Sequence, residues 1–197
     1  MRLAADDPGA IHRAVGLLDA GELVVIPTGS EYALACDALH EDAIDRLRAQ
    51  TQRAADRPIP IVVAGFEDAH HVAFPTPIAR QLAEAFWPGP VALVQRARPW
   101  LPDAITAGAD TIALRCPAHT FARELARHFG PLAATKLSAW TPDAATLTAG
   151  ASSLVVDGGA GKPISLTVVD ATGSSANVLR EGHVGPNEIA EHGRVRH

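Results

Sequence analysis

With 197 residues, 47% hydrophobic and 20% charged, the chain is long and apolar enough for one packed domain. Its formal net charge of −5 counts against wholesale electrostatic binding of nucleic acid, and neither a membrane span of ~18 apolar residues nor a signal-peptide core near Met1 is present, so the expected location is cytoplasmic. The two cysteines, Cys36 and Cys116, lie outside any CxxC or Cys/His cluster, which excludes a disulfide framework and a structural zinc site.

Asp7-Pro8-Gly9-Ala10 predicts a helix start with Asp7 as cap, and Ile11, Val15 and Leu18 continue it at helical spacing until Gly21. Leu23 to Ile26 is short, β-branched and bounded by Gly21 and Pro27, which predicts a buried strand. It delivers a polar turn rich in hydroxyls, Thr28 to Tyr32, to a sheet edge where open α/β folds keep their ligand crevice. Glu41 to Leu47 starts a second helix with its acids at the favourable end. The polar stretch Gln50 to Pro58 then brings Arg53 and Arg57 to the next strand, Ile59 to Val63.

Thr76-Pro77 predicts a cap for a third helix whose Ile78, Leu82 and Phe86 share a face, and Trp87-Pro88-Gly89-Pro90 turns the chain into the strand Val91 to Val94. Leu101 to Asp103 and Ala107 to Asp110 read as loops. Thr111 to Arg115 reads as a strand, and Phe121, Leu125 and Phe129 as a helix face closed by Gly130. Leu132 to Thr135 is a short strand releasing Lys136, Leu137 and Ser138, and Thr141-Pro142 starts a small helix. The last third alternates strands (Leu154 to Asp157, Leu166 to Asp170, Asn177 to Gly182) with Gly-rich turns, and Gly158 to Gly161 lacks the spacing of a phosphate-binding loop. This predicts a single α/β domain over 1–197, with a twisted mixed sheet and flanking helices.

Several strand ends carry similar chemistry: Thr28, Ser30 and Tyr32; Arg53 and Arg57; Arg115; Lys136 and Ser138; Thr167; and Arg180. Arginines and hydroxyls without a His/Asp pair or a carboxylate dyad point to anion binding, as of a phosphate-bearing ligand, rather than acid–base hydrolysis. Singly, each arginine also reads as a solvated surface residue, and only their convergence carries the inference.

The segments Pro27 to Asp37, Arg53 to Pro58, Trp87 to Pro90, Thr111 to Pro117, Thr167 to Asp170 and Leu179 to Gly182 together resemble the Sua5/YciO/YrdC family in order and spacing, from about Gly21 to Val184. The resemblance implies a deep, positively lined cavity in which ATP with Mg²⁺, L-threonine and bicarbonate become threonylcarbamoyl-AMP and pyrophosphate, for modification of adenosine 37 in tRNA. It implies no organic prosthetic group and no metal site of the protein's own. The residues matched to the family pattern place Thr28, Ser30, Tyr32 and Arg115 on the amino acid. Arg53, Arg57, Lys136, Ser138, Thr167 and Arg180 fall to the nucleotide, with Arg53, Lys136 and Ser138 nearest the chemistry. RNA and the transferase proteins of the same pathway are further partners the resemblance implies. The longer members' C-terminal domain has no room after Gly185.

The chain departs from the family where phosphate would bind. Thr51-Gln52-Arg53 stands where Lys-x-Arg is usual, and Lys136-Leu137-Ser138 where Ser-x-Asn is usual. One cation is missing and another has arrived, so Lys136 is expected to replace the lost charge from across the site. Gly29, Ser30, Ala33, Ala92 and Leu166 are smaller departures, and Leu166 and Trp140 make the site more apolar. Two alternatives follow: a paralogue adenylating a different carbamate, or one that has lost catalysis and binds nucleotide or double-stranded RNA.

Overall fold

The structure is a computed structural model that describes residues 1–149 and 154–193. Eleven strands are described: β1 (Arg2–Ala4), β2 (Val24–Pro27), β3 (Tyr32–Asp37), β4 (Ile61–Val62), β5 (Ala73–Phe74), β6 (Val91–Ala97), β7 (Thr111–Arg115), β8 (Leu132–Lys136), β9 (Leu154–Asp157), β10 (Thr167–Asp170) and β11 (Asn177–Arg180). They form one mixed sheet in the order β1-β9-β2-β3-β8-β4-β7-β6-β10-β11, with β5 paired to β6. The helices are α1 (Ala10–Asp19), α2 (Glu41–Thr51), α3 (Pro77–Phe86), α4 (Asp103–Thr106), α5 (Thr120–Phe129), α6 (Pro142–Ala149) and α7 (Pro186–His192). None among the described residues is long and apolar enough to cross a membrane.

Strand alternation sorts the core into two faces. Val25, Leu34, Ile61 and Leu114 point to one, where Ile44 and Leu47 of α2, Ile105 of α4 and Ala145 of α6 cover them. Further along, Leu93 and Val169 are covered by Ile78 and Leu82 of α3 and Ile189 of α7. Val24, Ile26, Ala33, Ala35, Val62 and Ala134 point to the other face, under Ala14 and Leu18 of α1 and Phe121 and Leu125 of α5. That second cluster takes in β9, β2, β3, β8 and β4 and stops before β7.

The expected single α/β architecture holds, with local differences. Asp7 does not cap α1; its Oδ1 accepts the Gly9 N–H at 2.7 Å in a turn, and Gly9 is the capping residue. Thr76 caps α3 as expected, accepting the Ala79 N–H at 3.1 Å. Beyond Thr28 to Glu31, the polar turn continues as β3, buried through Cys36, because β2 on one side and β8 on the other satisfy its backbone. β1, β5, α4 and α7 are additional elements. Both thiols are buried, and desolvation pushes Cys36 up to about 12 and Cys116 up to about 11, so neither is a nucleophile near neutrality.

Candidate active site

The β2–β3 hairpin turn is tied by its own hydroxyls. Thr28 Oγ1 donates to the Glu31 carbonyl at 2.5 Å and lies 3.2 Å from Ser30 Oγ. Gly29 adopts φ +92°, where a β-carbon would also press on Ala118 Cβ and the His119 nitrogen at 3.1 Å. The buried Tyr32 ring sends its hydroxyl across to the loop after β9. It donates to the Gly159 carbonyl at 2.7 Å and accepts the Gly158 N–H at 3.0 Å, and burial raises its pKa. Gly161 passes so near that a β-carbon there would sit 2.0 Å from the Ser30 carbonyl oxygen. The Gly-rich loop, with no phosphate fingerprint, is therefore the far wall of a hollow of about 20 Å³ that Thr28, Ser30 and Tyr32 line.

Arg115 is the second component. It ends β7 with only 5% of its surface exposed, and no described residue accepts a hydrogen bond from it or pairs with it as an ion. Desolvation lowers its pKa to about 10 while the Glu31 carboxylate raises it, so the guanidinium stays charged at pH 7. A buried cation without a fixed anion is costly to hold. A ligand carboxylate or phosphate is what such a group fits.

Lys136 ends β8 at the sheet end that carries the hairpin turn, and the segment that carries Arg53 leads from α2 into the neighbouring strand β4. Lys136 pairs with Ala33 in the β3–β8 register, and the Leu137 N–H donates to the Tyr32 carbonyl at 2.9 Å. The Ala134 N–H donates to the Pro60 carbonyl, which extends the antiparallel β4–β8 pairing by one residue toward Lys136. The Pro58 carbonyl accepts from Arg53 Nη2, and Arg53 Nε donates to the Arg57 carbonyl at 3.4 Å. Burial first, then Arg48 and Arg57, lower the Arg53 pKa. Thr51, where the resemblance leads one to expect a lysine, turns its hydroxyl back to the Leu47 carbonyl at 2.7 Å. Ser138 lies exposed two residues past Lys136 with φ +52°.

Thr167 and Arg180 fall elsewhere. Thr167 is fully buried on the α3 and α7 side of the sheet, donating to the Val184 carbonyl at 2.7 Å and accepting its N–H at 3.1 Å. That placement runs against the nucleotide-facing role expected from its motif, because strand alternation turns it from the Arg115 face and Val184 occupies its hydroxyl. Arg180 is exposed on edge strand β11, donating to the Leu166 carbonyl at 3.3 Å. The register runs Arg180, Val168, Ala92, Arg115, so an apolar floor separates the two arginines by about three strand spacings, ~14 Å. Arg57 is exposed. Ala33 and Ala92, both departures from the family pattern, pair directly with Lys136 and Arg115.

His119 belongs to this site and has no sequence signal beyond its place two residues after Pro117. Its N–H donates to the Thr28 carbonyl at 3.3 Å and its Nδ1 accepts the Phe121 N–H at 3.2 Å, capping α5. The ring packs so closely on Gly158 that a β-carbon there would meet Nε2 at 2.5 Å. Behind it opens a groove of about 540 Å³, with Ile11, Phe121, Asp6, Glu124 and Asp157 among its walls. The hollow and the groove carry none of Arg53, Arg115, Lys136 or Arg180 in their linings. No group of three or more His, Cys, Asp or Glu among the described residues could hold a metal ion, so the residues do not form a magnesium cage. Magnesium ordinarily keeps waters and binds through substrate phosphates instead.

The family model Sua5_yciO_yrdC, described as "Telomere recombination", matches residues 16–182. The chain belongs to the Sua5/YciO/YrdC family. A Mycobacterium tuberculosis family member is 33% identical over 92% of this chain and 88% of its own length. The threonylcarbamoyl-AMP synthase of Pyrococcus abyssi is 35% identical over 91% of this chain and 56% of its own. Among solved structures, P. abyssi Sua5 complexed with L-threonine superposes with a TM-score of 0.83 at 33% identity, over 93% of this chain and 58% of that one. The chain thus spans somewhat over half the length of these archaeal family members.

Proposed function

We propose that the chain is a threonylcarbamoyl-AMP synthase, using L-threonine, bicarbonate and ATP with Mg²⁺ as substrates and supplying the intermediate for modification of adenosine 37 in tRNA. The observation that carries this reading is a buried Arg115, without a hydrogen-bond or ion-pair partner among the described residues and within the electrostatic reach of Glu31 in the wall of the hydroxyl-lined hollow, in a chain one-third identical to a Sua5 solved with L-threonine. Arg115 takes the amino acid's carboxylate, and Thr28, Ser30 and the Tyr32 wall take its small polar end. The threonine amine adds to CO₂ released from bicarbonate, losing a proton to give a carbamate. A carbamate oxygen then bonds to the α-phosphorus as the bond to the bridging oxygen breaks, and that oxygen leaves with pyrophosphate.

Positioning and charge neutralisation are what the step demands. Lys136 and Arg53 meet it at the phosphate end, Lys136 in the place of the lysine that the resemblance leads one to expect, with Ser138 and Arg57 following them in the chain, while Arg180 waits across the apolar floor from Arg115 for the far end of the nucleotide. The transferase proteins that pass the threonylcarbamoyl group to tRNA are the partners that consume the product, in the cytoplasm.

Pyrophosphate release from ATP, bicarbonate and Mg²⁺ should depend on L-threonine and not on most other amino acids. Silence with every amino acid would overturn the reading. The Thr51 hydroxyl, bonded to its own helix where a lysine is usual, favours a second reading in which a different carbamate is adenylated. Release with an amino acid other than threonine would select it.

A further inference from the structure

The geometry points to His119 as the residue that sets the length of amino acid the site accepts, by walling the small hollow off from the large groove behind it. This rests on the synthase reading for the hollow's occupant. Of the residues that line the two spaces, His119 and Gly158 are the pair they share, and Gly158 has no side chain with which to divide them. The imidazole is thus the partition. It is held from three sides: by the Thr28 carbonyl on its backbone nitrogen, by the Phe121 N–H on Nδ1, and by close packing against Gly158.

The contrast in size gives the partition its consequence. About 20 Å³ on the Tyr32 side has room for little more than one water-sized group, while about 540 Å³ lies on the α5 side. With the imidazole in place, a short side chain ends at the ring. With it removed, a long side chain could run through. The groove offers Ile11 and Phe121 for an aliphatic stem and Asp6 for a cationic tip, with Asp157 and Glu124 nearby although already paired with Arg2 and Arg127, so lysine and arginine are the amino acids it suits.

His119→Asn tests this without sacrificing the helix cap, because Asn is a favoured capping residue and its shorter side chain lacks the outer edge of the ring. His119→Ala opens the partition further and serves as the second variant. Binding of threonine, lysine and arginine is measured by calorimetry, and pyrophosphate release with each, on wild type and both variants, with melting curves alongside. The expected result is a fall of about tenfold or more in the preference for threonine over lysine in His119→Asn, with lysine binding gained and melting close to wild type. Unchanged preference in a folded variant overturns the inference and leaves the synthase reading standing. A wild-type chain that binds none of the three amino acids removes the synthase reading and the inference with it. Should His119→Asn fail to fold, the residue is a structural cap rather than a specificity wall, and the inference is likewise overturned.

Discussion

The two ends of the proposed site, one for the amino acid and one for the phosphates, are built differently. At the amino-acid end, Thr28, Tyr32 and Arg115 are buried, and the hydroxyls are held by the Glu31, Gly158 and Gly159 backbone before any substrate arrives. At the phosphate end, Lys136 and Ser138 are exposed and Arg53 is laid across its own loop onto the Pro58 carbonyl. The first end is preorganised for one small ligand, and rigid, desolvated groups discriminate strongly between ligands. The second must exchange backbone contacts and water for phosphate oxygens, so each of its residues should matter less on its own.

The most demanding test of that contrast is Arg115→Met. Threonine binding should weaken by about 2–5 kcal/mol, a hundredfold or more near the middle of that range, because a buried charge pair loses its protein half. Melting temperature should hold or rise, since the apo protein no longer buries a cation that no described residue pairs with. Unchanged threonine affinity would remove Arg115 from the site.

Tyr32→Phe should cost about 1–3 kcal/mol in denaturant unfolding by stranding the Gly158 N–H and Gly159 carbonyl, and should raise the KM for threonine more than that for ATP. At the other end, Lys136→Ala should weaken ATP by about tenfold while leaving threonine binding alone; ATP titrations with equal affinity for variant and wild type would show that Lys136 does not replace the family's lysine. Thr167→Val separates structure from chemistry. It should lower stability by about 1–3 kcal/mol through its two bonds to Val184 and leave the KM for ATP unchanged in the folded protein.

The smallest expected effect is on pH. Burial first, then Arg123, hold the His119 pKa below its ordinary value, while the Gly158 carbonyl raises it. The unfolded chain therefore binds a proton more readily than the folded one, so stability should fall as pH drops below ~6.5. His119→Asn should flatten that part of the melting profile, and an identical slope in the variant would assign the acid sensitivity elsewhere.

Much of the proposed amino-acid end was legible in the chain because it is local. Thr28, Ser30 and Tyr32 sit within five residues after a β-branched strand, and Arg115 stands at the end of another. The proposed phosphate end was legible only as departures from the pattern that the resemblance supplies, since Thr51 and Lys136 are far apart in sequence and only the β4–β8 pairing joins the strand after Thr51 to the strand that ends in Lys136. Thr167 misled for a physical reason: a hydroxyl in a strand motif faces ligand or core according to the phase of the alternation, and here the core face took it. Gly158 to Gly161 and His119 gave no usable signal. A glycine whose missing β-carbon admits a distant backbone looks like any turn glycine, and a histidine after Cys-Pro looks like any helix cap.

Local preferences in the sequence were enough to determine the α/β class, most strands and helices, and the residue types gathered at strand ends. Periodicity and turn chemistry act over a few residues and need no partner to be read. Tertiary structure alone decided which of those residues share a face. Only sheet order and register pair Lys136 with Ala33, send the Tyr32 hydroxyl to the loop after β9, and leave Arg115 buried without an ion-pair partner among the described residues. A strand's two faces are equivalent until neighbouring strands and covering helices distinguish them, so that choice lies in the packing and not in any one segment.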